Sequence, residues 1–597
     1  MAGFFCASAW GAGRCLLRII SPLATEPEHE AAAFALGAGT WGLTLFMLGR
    51  FGLFQPAAAW ATAVAAAAAA WPAWRRAGRG ARPNRSQTLS WGRVLAACVL
   101  ALAAWHVLVH ALAPPIDADA LAYHLALPKL YLRAGEIRTI SWLIFSHWPH
   151  LVSLLFALPL SLGLDNAAAL LHVGAGTALI ASVFLIAREE FDAPTAWTAA
   201  AVLAVQPVLT RYVGAPRIEA WWALFHFLAF HSAWRWSRSG DRSWLLRAAL
   251  LAGLAASVKL IGLAPLAILG TWILLRRSPA PLQERARCAC LTMGLGTAVA
   301  FPWLLATWWT TGNPVWPYLS GLFGGADGAA YLADRFTRLN HWPAWTNLEV
   351  LLRNGPQYLL IPTLLMTLLN LRDRTKLPPY LRFQAATFLP YALLVCWNYE
   401  AWRYCVPWMP ALALTTAWGF VRLWKRGGGR AAAAALLLGF AIIPLLRLGQ
   451  SNALFAVLEL RSRSRPDLPP REIFLRQSFP PYALHRAVSR QVGESPARVL
   501  LFHESMGYYL DADYLWGVPA FQSLIRYDEL TDGGALRVRL RELGITHVII
   551  QVPFPGYYEY RAAALMHQLL AEVGPPITKE SGHALYALTP HPARTAP

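Results

Sequence analysis

"RVLAACVLALAAWHVLVHALAPPIDADALAYH", residues 93–124, joins a long apolar run to an acidic stretch. Residues 94–112 contain no Asp, Glu, Lys or Arg, and a helix needs about 20 predominantly apolar residues to cross a bilayer. Two prolines follow at once, and Asp117 and Asp119 come directly after them. The stretch therefore predicts a transmembrane helix that ends beside two carboxylates at a membrane surface.

The composition of the whole chain agrees with this prediction. Of its 597 residues, 56% are hydrophobic and only 14% are charged, whereas soluble domains contain roughly 25% charged residues. The 28 tryptophans also suit a membrane protein, since Trp and Tyr gather at bilayer interfaces. The net charge of +20 does not indicate a nucleic-acid partner, because the arginines lie in short clusters between apolar runs, as the positive-inside rule expects.

Apolar segments of spanning length recur along the chain up to residue 449, and they predict an α-helical polytopic membrane protein with about 13 spans. A further segment, 148–163, is short and contains Pro159, which is poorly accommodated inside a helix. The predicted spans are residues 33–50, 55–74, 94–112, 166–187, 195–211, 217–236, 245–257, 258–275, 288–310, 356–371, 380–398, 403–422 and 430–448.

The basic loops indicate how these spans are oriented. The loop 74–93 contains six arginines, which predicts that it faces the cytoplasm. The later basic loops face the same side only if 148–163 lies on the membrane surface or re-enters it without crossing. We therefore predict a cytoplasmic, amphipathic N-terminal segment and a non-cytoplasmic loop over 113–165, called the acidic loop below. The later basic loops are residues 235–247, 276–287, 371–376 and 422–430.

The chain changes character after the last predicted span. "ARVLLFHES" (497–505) and "THVIIQVP" (546–553) predict short buried strands, and "ALRVRLRELG" (535–544) predicts a helix closed by its final glycine. Alternating strands and helices indicate a soluble α/β domain, without a glycine-rich phosphate loop that would suggest a nucleotide. The predicted domains are therefore a transmembrane domain over 1–449 and a non-cytoplasmic α/β domain over 450–597.

The acidic loop contains the least expected residues of the chain. Pro128 disfavours one continuous helix after Asp117 and Asp119, so we predict two short helices on the membrane surface, the second ended by Gly135. One aspartate suits the N-cap of the first helix, which leaves the other unexplained. An ionisable residue over a membrane-embedded cavity is costly and is a functional candidate by default. Tyr123 lies four residues after Asp119 and shares its helix face.

Other polar residues are predicted on the same side of the membrane, and two of them, Glu219 and Lys259, each have two interpretations. Glu219 suits the positive end of a helix dipole or a functional site. Lys259 can extend to the interface or bind an anionic phosphate. Arg403, next to Tyr404, can donate two hydrogen bonds to a phosphate from its planar guanidinium.

Two histidines in "SHWPHL", His147 and His150, make a divalent-metal site in the acidic loop an alternative interpretation. The surrounding ligand types are scattered, and none of the seven cysteines lies in a pattern typical of zinc. We therefore assign no metal ligand from the sequence.

Three motifs together resemble a known superfamily. The stretch "DADALAYHLALPKLYLRAG" (117–135) resembles the first outer loop of GT-C glycosyltransferases, and "TGNPVWPYL" (311–319) and "RYCVPWMPALAL" (403–414) are similar to motifs of their bacterial members. This superfamily uses polyprenyl-phosphate sugars as donors and includes protein O-mannosyltransferases and lipid A aminoarabinose transferases. The resemblance covers nearly the whole membrane part, and it implies a transmembrane catalytic domain followed by an outer soluble domain.

The resemblance also implies a mechanism, an inverting transfer in which an acid of the first outer loop acts as general base on the acceptor. By its position relative to Tyr123, Asp119 is the expected base. Asp117 is the other candidate, since this chain has "DADA" where many members have "DE". Glu219 corresponds to a second acid at the outer end of a later helix. The expected substrate-binding residues are Tyr123, His124, Lys259, Arg403, Tyr404 and His150.

The resemblance further implies a polyprenyl-phosphate sugar donor, a protein, lipid or polysaccharide acceptor, and no certain cofactor. The expected location is a bacterial inner membrane, with the site and the C-terminal domain on its periplasmic or extracellular face. The alternatives are a transporter or flippase of lipid-linked glycans and a polysaccharide polymerase or ligase. Transporters tend to bind near the bilayer midplane and to contain repeats, whereas here the polar residues gather at one face.

Overall fold

The computed structural model of the protein describes most of the chain. It covers residues 1–20, 28–77, 91–340, 346, 349, 359–372, 377–398, 401–426, 469–491, 497–552 and 560–588. The predicted span 430–448 and the predicted domain boundary near residue 450 lie outside these residues.

The first part of the chain is a bundle of α-helices whose bounds follow the apolar segments of the sequence. A π-helical turn, Ala120–His124, lies in the acidic loop between the fourth and fifth helices. The helices are α1 (Ala2–Ile20), α2 (Glu28–Arg50), α3 (Pro56–Ala77), α4 (Trp91–Leu112), α5 (Ala126–Ala134), α6 (Leu151–Leu155), α7 (Ala157–Leu160), α8 (Asp165–Glu190), α9 (Ala193–Ala204), α10 (Pro207–Val213), α11 (Glu219–Ser239), α12 (Arg242–Val258), α13 (Leu263–Leu275), α14 (Leu282–Thr311), α15 (Ser320–Phe323), α16 (Asp327–Asn340), α17 (Leu360–Arg372), α18 (Pro379–Asn398), α19 (Ala401–Tyr404) and α20 (Met409–Arg426).

Every predicted span within the described residues coincides with helical structure. Among the residues that the structure describes, four helices, α2, α4, α8 and α14, are long and apolar enough to cross a membrane by length and composition alone. The predicted span 195–211 needs a correction, because it is two helices, α9 and α10, separated at Gln206. Pro207 causes the break, since proline has no N–H to continue a helix and restricts the residue before it to extended backbone.

The segment 148–163 forms two short helices, α6 and α7, with Phe156 between them. At 1.5 Å per residue, neither helix approaches the roughly 30 Å of a hydrocarbon core. Leu151, Leu154 and Phe156 are fully buried against the bundle. That the segment lies on the membrane surface or re-enters it without crossing stays a prediction.

Helix α1 forms the N-terminal segment that the sequence predicts to be amphipathic. It packs inside the bundle, where Phe5 and Ala9 are buried. The contact with α2 is so close that a Cβ added to Gly37 would lie 1.8 Å from the carbonyl oxygen of Ala9. Small residues permit this approach of two helix backbones, so α1 is an integral member of the bundle.

The C-terminal part contains a mixed sheet of the strands β1 (Arg498–Phe502), β2 (Asp513–Trp516), β3 (His547–Gln551), β4 (Thr578–Glu580) and β5 (His583–Ala587). Among the described residues, the order of these strands in the sheet is β2-β1-β3-β5-β4. The first three strands are parallel, and the last two are antiparallel to their neighbours. The central strands are continuous apolar runs because both faces are covered, and the predicted strands and helix of this domain are confirmed. The α-helices that the structure describes in this domain are α21 (Pro470–Ser478), α22 (Tyr482–Gln491), α23 (Gly533–Glu542) and α24 (Tyr560–Val573).

This sheet domain packs against the acidic loop. Lys129 of α5 donates a 2.7 Å hydrogen bond to the carbonyl of Tyr508. Arg471 of α21 forms a two-pronged ion pair with Asp165, at 3.0 and 2.5 Å. The ring of Trp142 lies 4.9 Å from that of Tyr514 of β2. The acidic loop is therefore held between the helix bundle and the C-terminal domain.

Candidate active site

The two aspartates of the acidic loop face different partners. The backbone N–H of Ala120 donates a 3.1 Å hydrogen bond to Oδ1 of Asp117, so Asp117 caps the helical turn that follows. Asp119 lies one position before the π-helical turn Ala120–His124 and makes no capping hydrogen bond. Single π-helical turns are rare in proteins, and those that occur are often found at functional sites. The aspartate that capping leaves unexplained is therefore Asp119.

Arg217 lies at the centre of the acidic residues. Its Nε is 2.7 Å from Asp117 Oδ1, one terminal nitrogen is 3.0 Å from Asp119 Oδ2, and the other is 3.4 Å from Glu219 Oε1. The guanidinium also lies 4.3 Å from the ring centroid of Tyr212. Each guanidinium nitrogen thus interacts with a different carboxylate, and the side chain is buried.

Two further cations complete the cluster. A terminal nitrogen of Arg403 is 2.9 Å from Asp119 Oδ2, so that oxygen contacts two arginines. Lys259 directly follows α12, and its Nζ lies 4.2 Å from the ring centroid of Tyr404 and 5.7 Å from that of Trp222. Three carboxylates and three cationic side chains therefore meet where the acidic loop joins the bundle.

The charges around Asp119 determine its ionisation. Burial would raise the pKa of Asp119, but the positive charges of Arg217 and Arg403 outweigh burial and hold this pKa well below its usual range. The Asp119 side chain is consequently a carboxylate at neutral pH. A carboxylate with a low pKa is a weak base while both arginines remain in place.

The aromatic residues of the π-helical turn line the same site. Burial, and then the negative charge of Asp119, raise the pKa of Tyr123 well above its usual value. Nδ1 of His124 is 2.9 Å from the hydroxyl of Ser153, and burial lowers the pKa of His124 to about 3. Its Nε2 is buried without a hydrogen-bond partner among the residues that the structure describes. Neutral His124 therefore presents a polar atom that a bound ligand could contact.

Glu219 is the first residue of α11. His172, which is not among the predicted site residues, holds the turn before this helix in place. Nδ1 of His172 donates a 2.9 Å hydrogen bond to the carbonyl of Ala215, and its Nε2 accepts one of 2.9 Å from the N–H of Ala220. Both bonds hold the backbone on either side of Arg217. The helix-dipole interpretation of Glu219 is compatible with the ion pair to Arg217, because both favour the carboxylate.

His150 and His147 lie in a neighbouring cavity that Arg50, Tyr131 and Trp303 also line. Burial lowers the pKa of His150 to about 3 and that of His147 to about 4. No ion pair or hydrogen bond links His150 to the three carboxylates in the described part of the chain. Among the described residues, no three His, Cys, Asp or Glu side chains form a group that could hold a metal ion.

The structure thus brings together most of the predicted site residues. Asp117, Asp119, Glu219 and Arg403 are joined by ion pairs, and Tyr123, His124, Lys259 and Tyr404 surround them, whereas His150 lies apart. Sequence reasoning missed Arg217 and His172. The stretch "GAPRIEA" contained a signal for Arg217, since it pairs a basic and an acidic residue at the end of a span. A single histidine in the apolar helix α8 gave no such signal.

Comparisons with known proteins identify the fold. No protein-family model and no curated protein sequence matches the chain. The crystal structure of ArnT from Cupriavidus metallidurans in the apo state is similar, with a TM-score of 0.55, 14% sequence identity and coverage of 84% of this chain and 99% of ArnT. The structure of the same ArnT bound to undecaprenyl phosphate has a TM-score of 0.53 and 14% sequence identity, with coverage of 83% of this chain and 98% of ArnT. The oligosaccharyltransferase AglB from Archaeoglobus fulgidus is a more distant match, with a TM-score of 0.44 and 14% sequence identity. This match covers 77% of this chain and 70% of AglB.

The chain therefore shares the fold of ArnT over most of its length, which agrees with the fold that the resemblance of its motifs implied. The shared fold extends over nearly the whole length of ArnT. The shared fold does not by itself determine an activity, because one fold supports more than one function.

Proposed function

We propose that the protein is a membrane glycosyltransferase that transfers a sugar from a polyprenyl-phosphate donor to an acceptor. The observation that supports this most directly is the cluster of Asp119 with Arg217 and Arg403, on a fold shared with ArnT. ArnT, a lipid A aminoarabinose transferase, has been crystallised with undecaprenyl phosphate. A lipid-phosphate donor requires cationic groups that contact its phosphate, and Arg217, Arg403 and Lys259 are such groups.

Asp119 is the proposed general base. An inverting transfer needs one carboxylate within hydrogen-bond reach of the acceptor hydroxyl, so that the proton leaves as the new glycosidic bond forms. Asp119 suits this role because its carboxylate is not used for capping. Asp117 caps the helix and contacts Arg217, and Glu219 starts a helix, so we propose that both position Arg217 and Asp119.

Arg403 and Lys259 are the proposed partners of the departing phosphate. As the sugar–phosphate bond breaks, negative charge grows on the lipid phosphate, and preorganised cations stabilise that charge. Arg403 contacts Asp119 in this structure. We propose that a donor phosphate competes with Asp119 for Arg403, which would raise the pKa of Asp119 and make it a stronger base once the donor has bound.

The proposed side of the membrane is the non-cytoplasmic one, in a bacterial inner membrane. The arginine-rich loop 74–93 and the basic loops after α11 and α13 support this orientation by the positive-inside rule. The acidic loop and the C-terminal domain would then both face the periplasm or the cell exterior. The acceptor on that side would be a protein, a lipid or a growing polysaccharide.

A donor assay tests the proposal. Purified protein in detergent is incubated with radiolabelled polyprenyl-phosphate sugars and a membrane extract that contains acceptors, and release of lipid phosphate is measured. The variants are Asp117→Asn, Asp119→Asn and Glu219→Gln. The matched control is Asp192→Asn, because Asp192 caps α9 and pairs with Lys425 away from the cluster.

Three outcomes distinguish the candidate functions. Release that requires Asp119 and is retained in the Asp192→Asn control supports the transferase. Donor binding without release under every condition, unchanged in the three cluster variants, would favour a transporter or flippase instead. A product that grows by repeated additions would identify a polymerase among the transferases.

A further inference from the structure

The segment that follows α14 has no charged residues. No Asp, Glu, Lys or Arg lies between Arg287 and Asp327, although α14 already ends at Thr311. A helix needs about 20 apolar residues to cross a bilayer, and α14 is long and apolar enough to do so by itself. The residues after Thr311 therefore extend the uncharged region beyond the span, where a loop in water would ordinarily contain charges.

Residues 318–323, called the apolar tip below, lie in this segment and expose large apolar side chains. Leu319 is 62% exposed and Leu322 of α15 is 75% exposed, and Tyr318 and Phe323 are exposed as well. Single exposed apolar side chains are normal on a protein surface, whereas a contiguous group of them indicates an interaction site. The apolar tip is such a group in the described part of the chain.

The apolar tip is held in one conformation by buried contacts. Trp316 is fully buried, and its Nε1 donates a 3.0 Å hydrogen bond to the carbonyl of Ala329 in α16. Asn313 donates a 2.8 Å hydrogen bond from Nδ2 to the carbonyl of Tyr318. Leu319 has a φ of 54°, in the left-handed region that leucine rarely adopts. Surrounding contacts therefore hold this turn with its apolar side chains outward, against the local backbone preference.

The apolar tip adjoins the end of a helix that can span a membrane. Trp308 and Trp309, near the end of α14, are both exposed, and tryptophan gathers at the interface between lipid and water. The N–H of Ala326 donates a 3.2 Å hydrogen bond to the carbonyl of Thr311. Both ends of the loop that contains the tip therefore lie at the end of α14, so the exposed surface of α14 and the tip adjoin the same leaflet.

Charged residues return with α16, and they contact the C-terminal domain. Asp327, the first residue of α16, pairs with Arg526. Asp528 accepts a 2.7 Å hydrogen bond from the hydroxyl of Tyr331 and pairs with Arg335 at 2.9 Å. The helix that follows the apolar tip is therefore joined to the C-terminal domain by polar contacts.

We propose that the apolar tip inserts into the lipid leaflet on the side of the C-terminal domain and, through α16, holds this domain at the membrane surface. The partner is the acyl-chain region just below the lipid headgroups, because the tip has no charge and follows two exposed tryptophans. The inference requires that α14 crosses the bilayer. It does not require that the protein transfers a sugar.

Fluorescence quenching tests the insertion. The fluorescent amino acid dansylalanine is incorporated in the full-length protein as Leu322→dansylalanine, and the protein is placed in phosphatidylcholine nanodiscs. The quenchers are lipids with a nitroxide near the headgroup and, in the water, iodide. Thr337 of α16 is the position for the water-exposed control label, and exposed Leu305 of α14 is the position for the lipid-exposed control label. We expect the label at Leu322 to be quenched by lipid nitroxide severalfold more than the label at Thr337, and by iodide severalfold less.

Hydrogen exchange in the same nanodiscs tests the connection to the domain. Leu322→Asp places a charge in the leaflet, which is unfavourable, so the tip should move toward water and displace α16. Exchange of α16 and of residues 526–529 should then increase severalfold. Leu282→Asp is the matched control, since Leu282 is similarly exposed but lies beside Glu284 at the other end of α14. It should leave this exchange unchanged.

Three results would overturn the proposal. Quenching by iodide at Leu322 as strong as at Thr337 would place the tip in water. Protection of the Leu322 label from both quenchers would show that protein covers the tip, either a second copy or another segment of the chain. Equal exchange in Leu322→Asp and Leu282→Asp would refute the connection to the domain. Neither measurement uses a donor, so both remain decisive if sugar transfer fails, and the quenching does not depend on the folding of Leu322→Asp.

Discussion

At the scale of single residues, Asp117 and Asp119 show how two neighbouring carboxylates acquire different roles. Asp117 accepts from a backbone N–H and from Arg217. Asp119 contacts Arg217 and Arg403 and no backbone donor of its own helix. The difference arises because a helix has one N-cap position, and the aspartate beyond it is free to face the bundle.

This difference leads to a first prediction. Asp119→Asn is expected to lower donor turnover by about 100-fold or more, since general base catalysis contributes about that much. Asp117→Ser should lower it by roughly tenfold at most, because serine retains a capping oxygen and Asp119 keeps both arginines. Initial rates of lipid-phosphate release measure both effects. A larger loss in Asp117→Ser than in Asp119→Asn would instead assign the base to Asp117.

A second prediction concerns pH. The pKa of buried His150 is lowered to about 3, below the usual value near 6.5. Between these two pH values, the His150 ring binds a proton in the unfolded chain but not in the native protein. The free energy of unfolding therefore falls as the pH decreases below about 6.5, by about 1.4 kcal/mol per pH unit. The thermal midpoint should therefore decrease from pH 7 to pH 5.

The matched variants for this pH effect are His150→Gln and His567→Gln. The decrease in thermal midpoint between the two pH values should be smaller in His150→Gln, which has no titrating ring. His567 is exposed, so His567→Gln should show the full wild-type decrease. Equal decreases in all three proteins would show that His150 does not contribute to the acid sensitivity.

At the scale of elements, α1 shows what hydropathy alone does not reveal. Its segment contains Arg14 and Arg18 and no long uninterrupted apolar run. It nevertheless packs against α2, because the carbonyl of Ala9 lies against Gly37 and Gly13 lies against Ala33. Small residues at the contact allow the two backbones to approach closely, and such a contact depends on two segments at once.

This helix contact yields a third prediction. Gly37→Ala should destabilise the bundle by about 2 kcal/mol or more, since the added Cβ would meet the Ala9 carbonyl oxygen at 1.8 Å and overpacking forces backbone shifts. Gly3→Ala is the control, because nothing lies within 4 Å of the position of its Cβ. Thermal midpoints in one detergent compare the two variants. A Gly37→Ala protein as stable as Gly3→Ala would contradict the packing of α1.

At the scale of the whole molecule, ion pairs connect the C-terminal domain with the bundle. Buried Asp165 at the start of α8 pairs with Arg471 through both oxygens. Asp511 pairs with Lys129 at 3.2 Å and with Arg133 at 3.4 Å. The domain therefore covers the acidic loop that contains Asp117 and Asp119.

A fourth prediction tests this arrangement. Asp165→Asn removes the charge that Arg471 contacts, and we expect a loss of about 1–2 kcal/mol in the docking of the domain, since Arg471 is partly solvated. Hydrogen exchange of the acidic loop and of β2 should increase. Asp192→Asn, whose carboxylate pairs with Lys425 elsewhere, should leave that exchange unchanged. Identical exchange in both variants would show that this ion pair does not hold the domain.

The sequence by itself determined the helical membrane architecture, the α/β domain and the gathering of acidic residues in one loop. These features depend on the length of apolar runs, on the spacing of charges and on strand and helix periodicity, all of which are local. Only the tertiary structure decided that Asp119 meets Arg403, 284 residues away, and that Arg217 joins the three carboxylates. Such contacts depend on how distant segments pack against one another, and that information is not present in any single segment.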